Sequence, residues 1–223
     1  MAYFSGSEAA ALAYDRWFDE PWGKYAFRVE AGLILRQAGP LACRRVADVG
    51  CGTGRFMKAL EDRGGAMTGL DLDPAMLRIA ALRVDGHIVE GDAHAMPFAD
   101  AVFDLVIAVT LCEFAGDAPG VFAELARVTR AGGRFIVGAL NPRSPWGFAD
   151  RRRFLRPPWR DVEFLSRGDL LALGRPYGRV SIHGALFATS GTPWLSRLGP
   201  VAETAGRLLP QLGGFQVLVV QRS

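Results

Sequence analysis

Short apolar runs alternate with amphipathic segments through the middle of the chain. The strand-like runs lie at residues 45–50, 67–71, 87–90, 103–109 and 134–140, and helical segments separate them at residues 55–63, 74–84 and 119–130. The run FDLVIAV at residues 103–109 is almost continuously apolar, which is typical of a strand buried on both faces. Strands that alternate with helices predict a parallel sheet covered on both sides.

Residues 44–140 form this core, and outside it the pattern changes. A helical cap is predicted at residues 1–40, two insertions at 141–165 and 190–210, and two further strands at 180–188 and 215–220. Pro21 divides the cap into two helices, because proline breaks the helical pattern there. Ser166 predicts the N-cap of a short helix, with Asp169 three residues downstream.

Composition limits the class of protein. Half of the 223 residues are hydrophobic, which suffices for the core of one domain over residues 1–223. No stretch of about 18 apolar residues lacks a charge, so no membrane span is expected. The three cysteines form no CxxC pair, and we therefore expect reduced thiols in the cytoplasm rather than a disulfide framework or a zinc site. The net charge of +3 is too small to require a nucleic-acid partner.

A glycine-rich loop, Gly50-Cys51-Gly52-Thr53-Gly54, joins the first predicted strand of the core to its first helix. Glycines at this place allow a tight turn and a close approach of the backbone to a ligand. Asp71 ends the second strand, about 20 residues downstream, where a carboxylate can hold two ribose hydroxyls. Asp48 beside the loop disfavours a pyrophosphate and suits a cationic amine or sulfonium. A dinucleotide-binding dehydrogenase is therefore the weakest alternative.

Four ordered motifs carry a family resemblance. They read VADVGCGTGRF, GLDLDPAML, GDAHAMPFADAVFDLVIA and ELARVTRAGGRFIVG, and they resemble the class I S-adenosylmethionine-dependent methyltransferases of the small-molecule group, which includes quinone and sterol enzymes. The run Tyr14-Asp15-Arg16-Trp17-Phe18 also resembles the cap of bacterial members. The resemblance implies an α/β, Rossmann-like sheet of seven mostly parallel strands, with helices on both faces and an antiparallel last strand at residues 215–220.

The resemblance also implies a cofactor, S-adenosylmethionine, and its product, S-adenosylhomocysteine. The glycine loop is expected to pass under the methionine part, with Asp48 near its amine and Asp71 on the ribose hydroxyls. Asp92 is expected to accept a hydrogen bond from the adenine amine. The complete set of expected cofactor contacts is Tyr14, Trp17, Asp48, Gly50, Cys51, Gly52, Gly54, Asp71, Leu72, Met76, Asp92, Ala93, Val109 and Thr110. No metal is expected.

Three residues are candidates for the chemistry on the acceptor side: Glu113, Tyr14 and His183. Glu113 follows the fourth strand, at the carboxyl end of the sheet, and is either a base that faces the acceptor or a solvent-facing loop acid. Tyr14 either donates to the cofactor carboxylate or anchors the cap on the core with its aromatic neighbours. His183 lies in a predicted strand and either faces the site or points away. Cys112 is expected to be a packed thiol rather than a nucleophile.

The acceptor itself stays open. The arginines and aromatic residues of the insertion at 141–165 suggest a lid for an acidic substrate, a membrane headgroup or RNA, or else a solvated flap. The apolar segment at 190–210 suggests a greasy pocket. A nucleic-acid methyltransferase is the main alternative function, although Thr110-Leu111-Cys112-Glu113 stands where amino-directed enzymes carry Asn/Asp-Pro-Pro-aromatic. A cofactor-binding protein without transferase activity, and the choice between monomer and homodimer, also remain open.

Overall fold

The structure is a computed structural model that describes residues 7–149, 162–188, 195–206 and 208–223. Its helices are α1 Glu8–Trp17, α2 Pro21–Ala38, α3 Arg55–Glu61, α4 Pro74–Ala81, α5 Cys112–Ala115, α6 Ala118–Val128, α7 Pro145–Ala149, α8 Arg167–Gly174 and α9 Leu195–Gly206. Its strands are β1 Arg45–Val49, β2 Ala66–Asp71, β3 His87–Glu90, β4 Phe103–Val109, β5 Thr129–Leu140, β6 Gly178–Ala185 and β7 Phe215–Arg222.

The seven strands form one sheet in the order β3-β2-β1-β4-β5-β7-β6. All neighbours on the β3 side of β5 are parallel, whereas β7 runs antiparallel to both β5 and β6. The predicted Rossmann-like sheet of seven mostly parallel strands, with an antiparallel last strand, is confirmed. Since β1 and β4 are central neighbours, their carboxyl ends meet beside the loops that follow them, where ligands of open parallel sheets bind.

Both faces of the sheet are buried. Ile107 and Val109 of β4 pack into a cluster with α2 and α3, while Val106 and Ala108 pack into a second cluster with α6 and α8. This alternation explains why the strand is apolar at nearly every position, as its sequence predicted. No helix in the described ranges is both long and apolar enough to cross a membrane.

Local capping fixes where several helices begin. The Asp73 carboxylate accepts a hydrogen bond from the Ala75 backbone N–H at 2.8 Å and caps α4. Ser166 and Asp169 exchange side-chain and backbone hydrogen bonds at the start of α8, which is the predicted capping box. Pro21 stands at the first position of α2, which separates the two helices of the cap as expected.

Several element boundaries differ from the sequence prediction, and three of them have a clear local cause. β5 begins at Thr129 rather than at 134, because Thr129 already pairs with Phe103 of β4 across a register shift. The helix predicted to reach residue 130 therefore ends at Val128. β6 ends at Ala185 rather than at 188, because Leu186 adopts a left-handed conformation with φ of 63°, which a strand does not accommodate.

The insertions are described only in part. The first contains α7, and the second contains α9, which is a helix as predicted. The arginines and aromatic residues of the first insertion that lie outside the described residues are Arg151, Arg152, Arg153, Phe154, Arg156, Trp159 and Arg160. The predicted acidic-substrate lid rests on these residues and stays a prediction.

Candidate active site

The glycine loop turns sharply at its three glycines. Gly50, Gly52 and Gly54 have φ values of 72°, 52° and 79°, in the left-handed region that side chains disfavour. A Cβ atom on Gly50 would lie 2.9 Å from a methyl of Leu111, and one on Gly54 would lie 3.1 Å from the Cβ of Ala80. Conformation therefore favours glycine at all three positions, and at Gly50 and Gly54 the lack of space favours it as well.

Backbone hydrogen bonds hold the loop against the end of β2. The Gly50 and Cys51 N–H groups donate to the Leu70 carbonyl, at 2.7 and 3.0 Å. The Gly52 N–H donates to one oxygen of the Asp71 carboxylate at 2.8 Å, and the Asp73 N–H donates to the other at 2.9 Å. Each carboxylate oxygen retains a lone pair, so Asp71 can position the loop and still accept from two hydroxyls.

Asp48, near the end of β1, is a buried acid that has no cationic partner among the described residues. The residue is 1% exposed, and its Oδ2 has no hydrogen-bond partner among the described residues. Burial, and next the charge of Asp71, raise the pKa of Asp48 to about 7. A buried unpaired carboxylate is costly, and a cationic group bound at this place would remove the cost. The site therefore fits a ligand that carries an ammonium or sulfonium.

The end of β4 closes the other side of the loop. Thr110 has a φ of 49°, an uncommon conformation for a threonine, and its N–H donates to the Gly138 carbonyl at 2.7 Å. Val109 and Thr110 line one cavity together with Asp48, Gly50 and Cys51. The backbone groups that the sequence placed near a methionine amine thus lie beside the Asp48 carboxylate.

The first helix, with Phe18 after it, forms an arm that covers this cavity. Tyr14 and Phe18 line the cavity wall, and their rings meet edge to face at 5.3 Å. Trp17 packs edge to face on Phe18 at 4.9 Å. Burial, followed by the charges of Glu30, Asp71 and Asp48, raises the pKa of the Tyr14 hydroxyl. Both sequence interpretations of the arm are compatible with this packing, since it anchors the cap and also screens the loop from water.

A network of ion pairs ties the arm to the loop. The Asp15 carboxylate accepts from the Thr53 hydroxyl at 2.7 Å, from Arg55 at 2.8 and 3.0 Å and from Arg83 at 2.9 Å. Arg83 also donates to the Thr53 carbonyl, and Arg55 to the carboxylate of Asp19. Burial raises the pKa of Asp15, but hydrogen bonds from the two arginines outweigh it and hold the pKa well below its usual range.

The residues expected around the adenine differ in how far they are exposed to solvent. Leu72 is 59% exposed, as a residue that covers a ligand from the solvent side would be. Met76 is buried in a cluster with Ala11 of the arm, so it also holds the arm down. Ala93 is buried, whereas Asp92 is exposed and accepts from the backbone and the ring of His94, at 2.8 and 2.7 Å. Asp92 keeps its second oxygen outside these contacts.

Glu113 is not the solvent-facing loop acid of the second sequence interpretation. It lies on the short helix α5 and is 2% exposed, because the Leu140 N–H donates to its Oε1 at 2.8 Å and draws the side chain inward. Its Oε2 has no partner among the described residues. Burial raises the pKa of Glu113 to about 7.

Glu30 is a second buried acid, which the sequence interpretation missed. It is 7% exposed, and burial together with the charge of Glu113 raises its pKa to about 7. Ala26, Leu33 and Ile34 are buried on the same face of α2. An acid within such an apolar stripe was the signal that could have found it, because acids are almost never buried there without a partner.

His183 is not brought next to the glycine loop. It lies on the edge strand β6, three strands away from β4 in the sheet, and its Nε2 is 3.2 Å from the Ser181 hydroxyl. Burial, and then Arg167 and Arg36, lower its pKa. Cys112 is a buried thiol whose pKa is raised by burial, in agreement with the packed role expected for it.

Comparisons with known proteins agree with this geometry. A protein family described as "Methyltransferase domain" matches residues 47–137. A malonyl-[acyl-carrier protein] O-methyltransferase of Serratia marcescens is 38% identical over 97 residues, which cover 43% of this chain and 38% of that protein. An uncharacterized protein of Methanocaldococcus jannaschii is 30% identical over 170 residues, covering 75% of this chain and 78% of that protein. The chain spans between 38% and 58% of the length of the first curated relatives that it matches.

Solved structures show the same fold. A methyltransferase of Thermotoga maritima, described as a possible histamine N-methyltransferase, has a TM-score of 0.77 at 22% identity and covers 97% of this chain and 98% of its own. That similarity extends to the cap and to the last strands, beyond the residues that the family match covers. The matched segment, residues 47–137, therefore belongs to this methyltransferase-domain family, as the four sequence motifs predicted.

Proposed function

We propose that this chain binds S-adenosylmethionine on the glycine loop and transfers its methyl group to a small-molecule acceptor. The observation that carries the proposal is the Asp48 carboxylate, which is buried at the mouth of the loop with one oxygen unpartnered among the described residues. Asp48 would hold the methionine amine together with the carbonyls at the end of β4. Asp71 would accept from the ribose hydroxyls, and Leu72 would cover the adenine.

The cofactor supplies an activated methyl group on a sulfonium, so the protein contributes mainly position and a dry site. The arm would serve the second need, because Tyr14 and Phe18 line the cavity beside the loop and Trp17 packs edge to face on Phe18. Tyr14 would also donate to the cofactor carboxylate. Glu113 stands on the acceptor side as the group able to hold a proton near neutral pH.

These positions suggest a role for each part of the chain. We propose one methyltransferase domain over residues 1–223, with residues 44–140 binding the cofactor and the two insertions shaping the acceptor side. The buried thiols of Cys51 and Cys112 suit the reducing cytoplasm, which is where we place the reaction.

Calorimetric titration with S-adenosylhomocysteine tests the cofactor site. We expect Asp71→Ala to weaken binding by at least about 1 kcal/mol, or fivefold, because its carboxylate would bind the ribose. Asp62→Asn is the control, because Asp62 is an exposed acid paired with Lys58 away from the loop. Equal affinity in all three proteins would remove Asp71 from the site, and absence of binding to the wild type would refute the proposal.

Transfer is tested separately from binding. Labelled S-adenosylmethionine is incubated with a metabolite extract, with and without added RNA. Label in a small molecule supports the proposal. Label in RNA alone favours the nucleic-acid alternative, and cofactor binding with no transfer to either favours a protein without transferase activity.

A further inference from the structure

Exposed apolar side chains concentrate on one part of the molecule. Among the described residues, eight large apolar side chains are exposed, and five of them lie in the two insertions or directly after the second. These five, which we call the apolar patch, are Phe148, Val201, Leu208, Leu209 and Leu212. Single exposed apolar residues are ordinary on a protein surface, but a concentration of them marks a surface that binds a partner.

The apolar patch lies at the carboxyl edge of the sheet. β5 ends and the antiparallel β7 begins at this edge, so both insertions leave the sheet there. Asn141 joins them, because its Nδ2 donates to the carbonyls of Gln211 and Gly213 at 3.0 and 2.9 Å. The Ser144 hydroxyl donates to the Asn141 carbonyl at 2.8 Å, at the start of the helix α7 that carries Phe148. The two stretches of the patch are therefore anchored on one buried residue.

Hydrogen bonds and a close helix contact hold α9 with its apolar side chain outward. The Glu203 carboxylate accepts from the Tyr25 hydroxyl and from two backbone N–H groups after β6, at 3.1, 3.0 and 2.8 Å. Gly199, one turn earlier on α9, lies against Tyr25, since a Cβ atom there would come within 2.6 Å of the ring. Because the inner side of α9 is occupied by these contacts, Val201 is left on the solvent side.

Charge indicates what the apolar patch contacts. By sequence, residues 141–165 and 190–210 contain eight arginines and four acids, so their own positive charge exceeds the net charge of the whole chain, which is +3. Arg143 is exposed beside α7, and most of the other arginines lie outside the described residues. Apolar side chains together with arginines fit the interface of a bilayer that contains anionic lipids. RNA would satisfy the charge but would leave the leucines without a partner.

We propose that the apolar patch docks this chain on the surface of an anionic bilayer. The contact is peripheral: the leucines after α9 and Phe148 enter the boundary of the acyl chains, while arginines stay at the level of the headgroup phosphates. Since the patch lies at the carboxyl edge of the sheet, docking turns the acceptor side toward molecules dissolved in the bilayer. The docking itself does not depend on the proposed methyl transfer, because it needs neither cofactor nor acceptor.

Co-sedimentation with lipid vesicles tests the surface. The probes are vesicles of phosphatidylcholine alone and vesicles that also contain about one third phosphatidylglycerol, each at low and at high NaCl. We expect the wild type to bind the anionic vesicles at least about tenfold more tightly than the neutral ones, and to lose most of this preference at high salt, because salt screens the attraction between arginines and headgroups.

Leu208→Ser tests the apolar part of the contact, with Leu82→Ser as its matched control. Leu208 is 85% exposed and Leu82, at the end of α4, is 91% exposed, so each replacement removes the same side chain from the surface without touching the core. We expect Leu208→Ser to weaken binding to anionic vesicles at least about fivefold, whereas Leu82→Ser should bind like the wild type. Thermal unfolding of both variants should match that of the wild type.

Four results would overturn the inference. The first is no binding of the wild type to anionic vesicles, or binding that Leu208→Ser leaves unchanged. The second is equal binding to neutral and anionic vesicles, which removes the anionic lipid. The third is salt-sensitive binding to single-stranded RNA without binding to vesicles. The fourth is a dimer in sedimentation velocity that Leu208→Ser dissociates and that does not bind vesicles, which assigns the patch to a second copy. A wild type that binds vesicles but not S-adenosylhomocysteine refutes the proposed function and supports the docking.

Discussion

Asp15→Asn probes how the arm and the glycine loop are joined. The carboxylate accepts four hydrogen bonds, two of them from Arg55 as a bidentate pair, one from Arg83 and one from the Thr53 hydroxyl. Asparagine keeps the shape but removes the charge; its amide oxygen can still accept, whereas its NH2 group faces donors of the arginines where a carboxylate oxygen accepted from them. The replacement therefore loosens the arm without opening a cavity.

The magnitude follows from the burial of the pair. Exposed ion pairs contribute about 0–1 kcal/mol, and removing one partner of a fully buried pair costs about 3–5 kcal/mol. Here the side chains of Asp15, Arg55 and Arg83 are 15%, 17% and 24% exposed, so the network lies between these limits. We expect Asp15→Asn to destabilise the docked arm by about 2 kcal/mol, which lowers the ratio of closed to open arm roughly 30-fold.

A lower ratio of closed to open arm changes the rates of cofactor binding and release more than it changes the affinity. If the cofactor enters and leaves only while the arm is open, both rate constants scale with the open fraction and their quotient hardly moves. We expect association and dissociation of S-adenosylhomocysteine to accelerate about 10- to 30-fold in Asp15→Asn, measured by stopped-flow fluorescence, with a Kd within about threefold of wild type. Tryptic cleavage after Arg16 on α1 should accelerate in parallel.

Asp19→Asn is the matched control. Asp19 contacts the same Arg55 at 3.3 Å, but its side chain is 60% exposed, so its loss should change each rate less than twofold. Equal rates in Asp15→Asn and wild type would refute the gating argument, even if stability fell. A large loss of affinity at unchanged dissociation rate would also refute it, because Asp15 would then shape the site itself.

Three further predictions concern the acids and the loop. The folded-state pKa of Glu30 and Glu113, about 7, exceeds the ordinary value. The stability linked to them is therefore fully present below about pH 4.5 and is lost as pH rises through 7, on the order of 3 kcal/mol for each acid. Urea titrations from pH 5 to 8 should show this fall, and a double glutamine variant should flatten it. For Asp48, a pKa near 7 means that cofactor affinity rises with pH up to about 7, by up to about tenfold per unit below it, and calorimetry of Asp48→Asn should find weak binding without that dependence. Gly54→Ala should lower the free energy of unfolding by about 2–4 kcal/mol, because a positive φ and a 3.1 Å contact act together; Gly52→Ala, with only its positive φ, should cost about 1–2 kcal/mol in the same denaturation assay.

Local patterns were sufficient to predict the cofactor half of the fold. The loop, the strands that flank it and Asp71 lie within about 25 residues, and each has a chemical reason at its own position. β4 was readable because burial on both faces removes polar residues from a strand. Boundaries were less predictable: β5 begins early because of its pairing with β4, a contact between segments distant in sequence.

The long-range contacts that hold the arm and Glu113 in place could not be predicted from the sequence. Asp15 lies 40 residues before Arg55 and 68 before Arg83, and nothing in the local pattern pairs them. Glu113 could be placed after a strand, but its inward turn depends on the Leu140 N–H, 27 residues downstream. Glu30 interrupts an apolar stripe, which showed an anomaly in the sequence without showing its partner.

The pKa shifts separate the acids of the site by role. The pKa of Asp15 is lowered because hydrogen bonds from two arginines stabilise its charge. A ligand therefore has little further stabilisation to give to this carboxylate. The pKa values of Asp48, Glu30 and Glu113 are raised chiefly by burial, which for Asp48 and Glu113 outweighs the few hydrogen bonds that they accept. Perturbed acids of the second kind are the ones that a ligand can stabilise, and they concentrate at functional sites. Positive charge is thus the property that the proposed cofactor would bring to Asp48, and the arm, held by Asp15, covers the cavity beside that carboxylate.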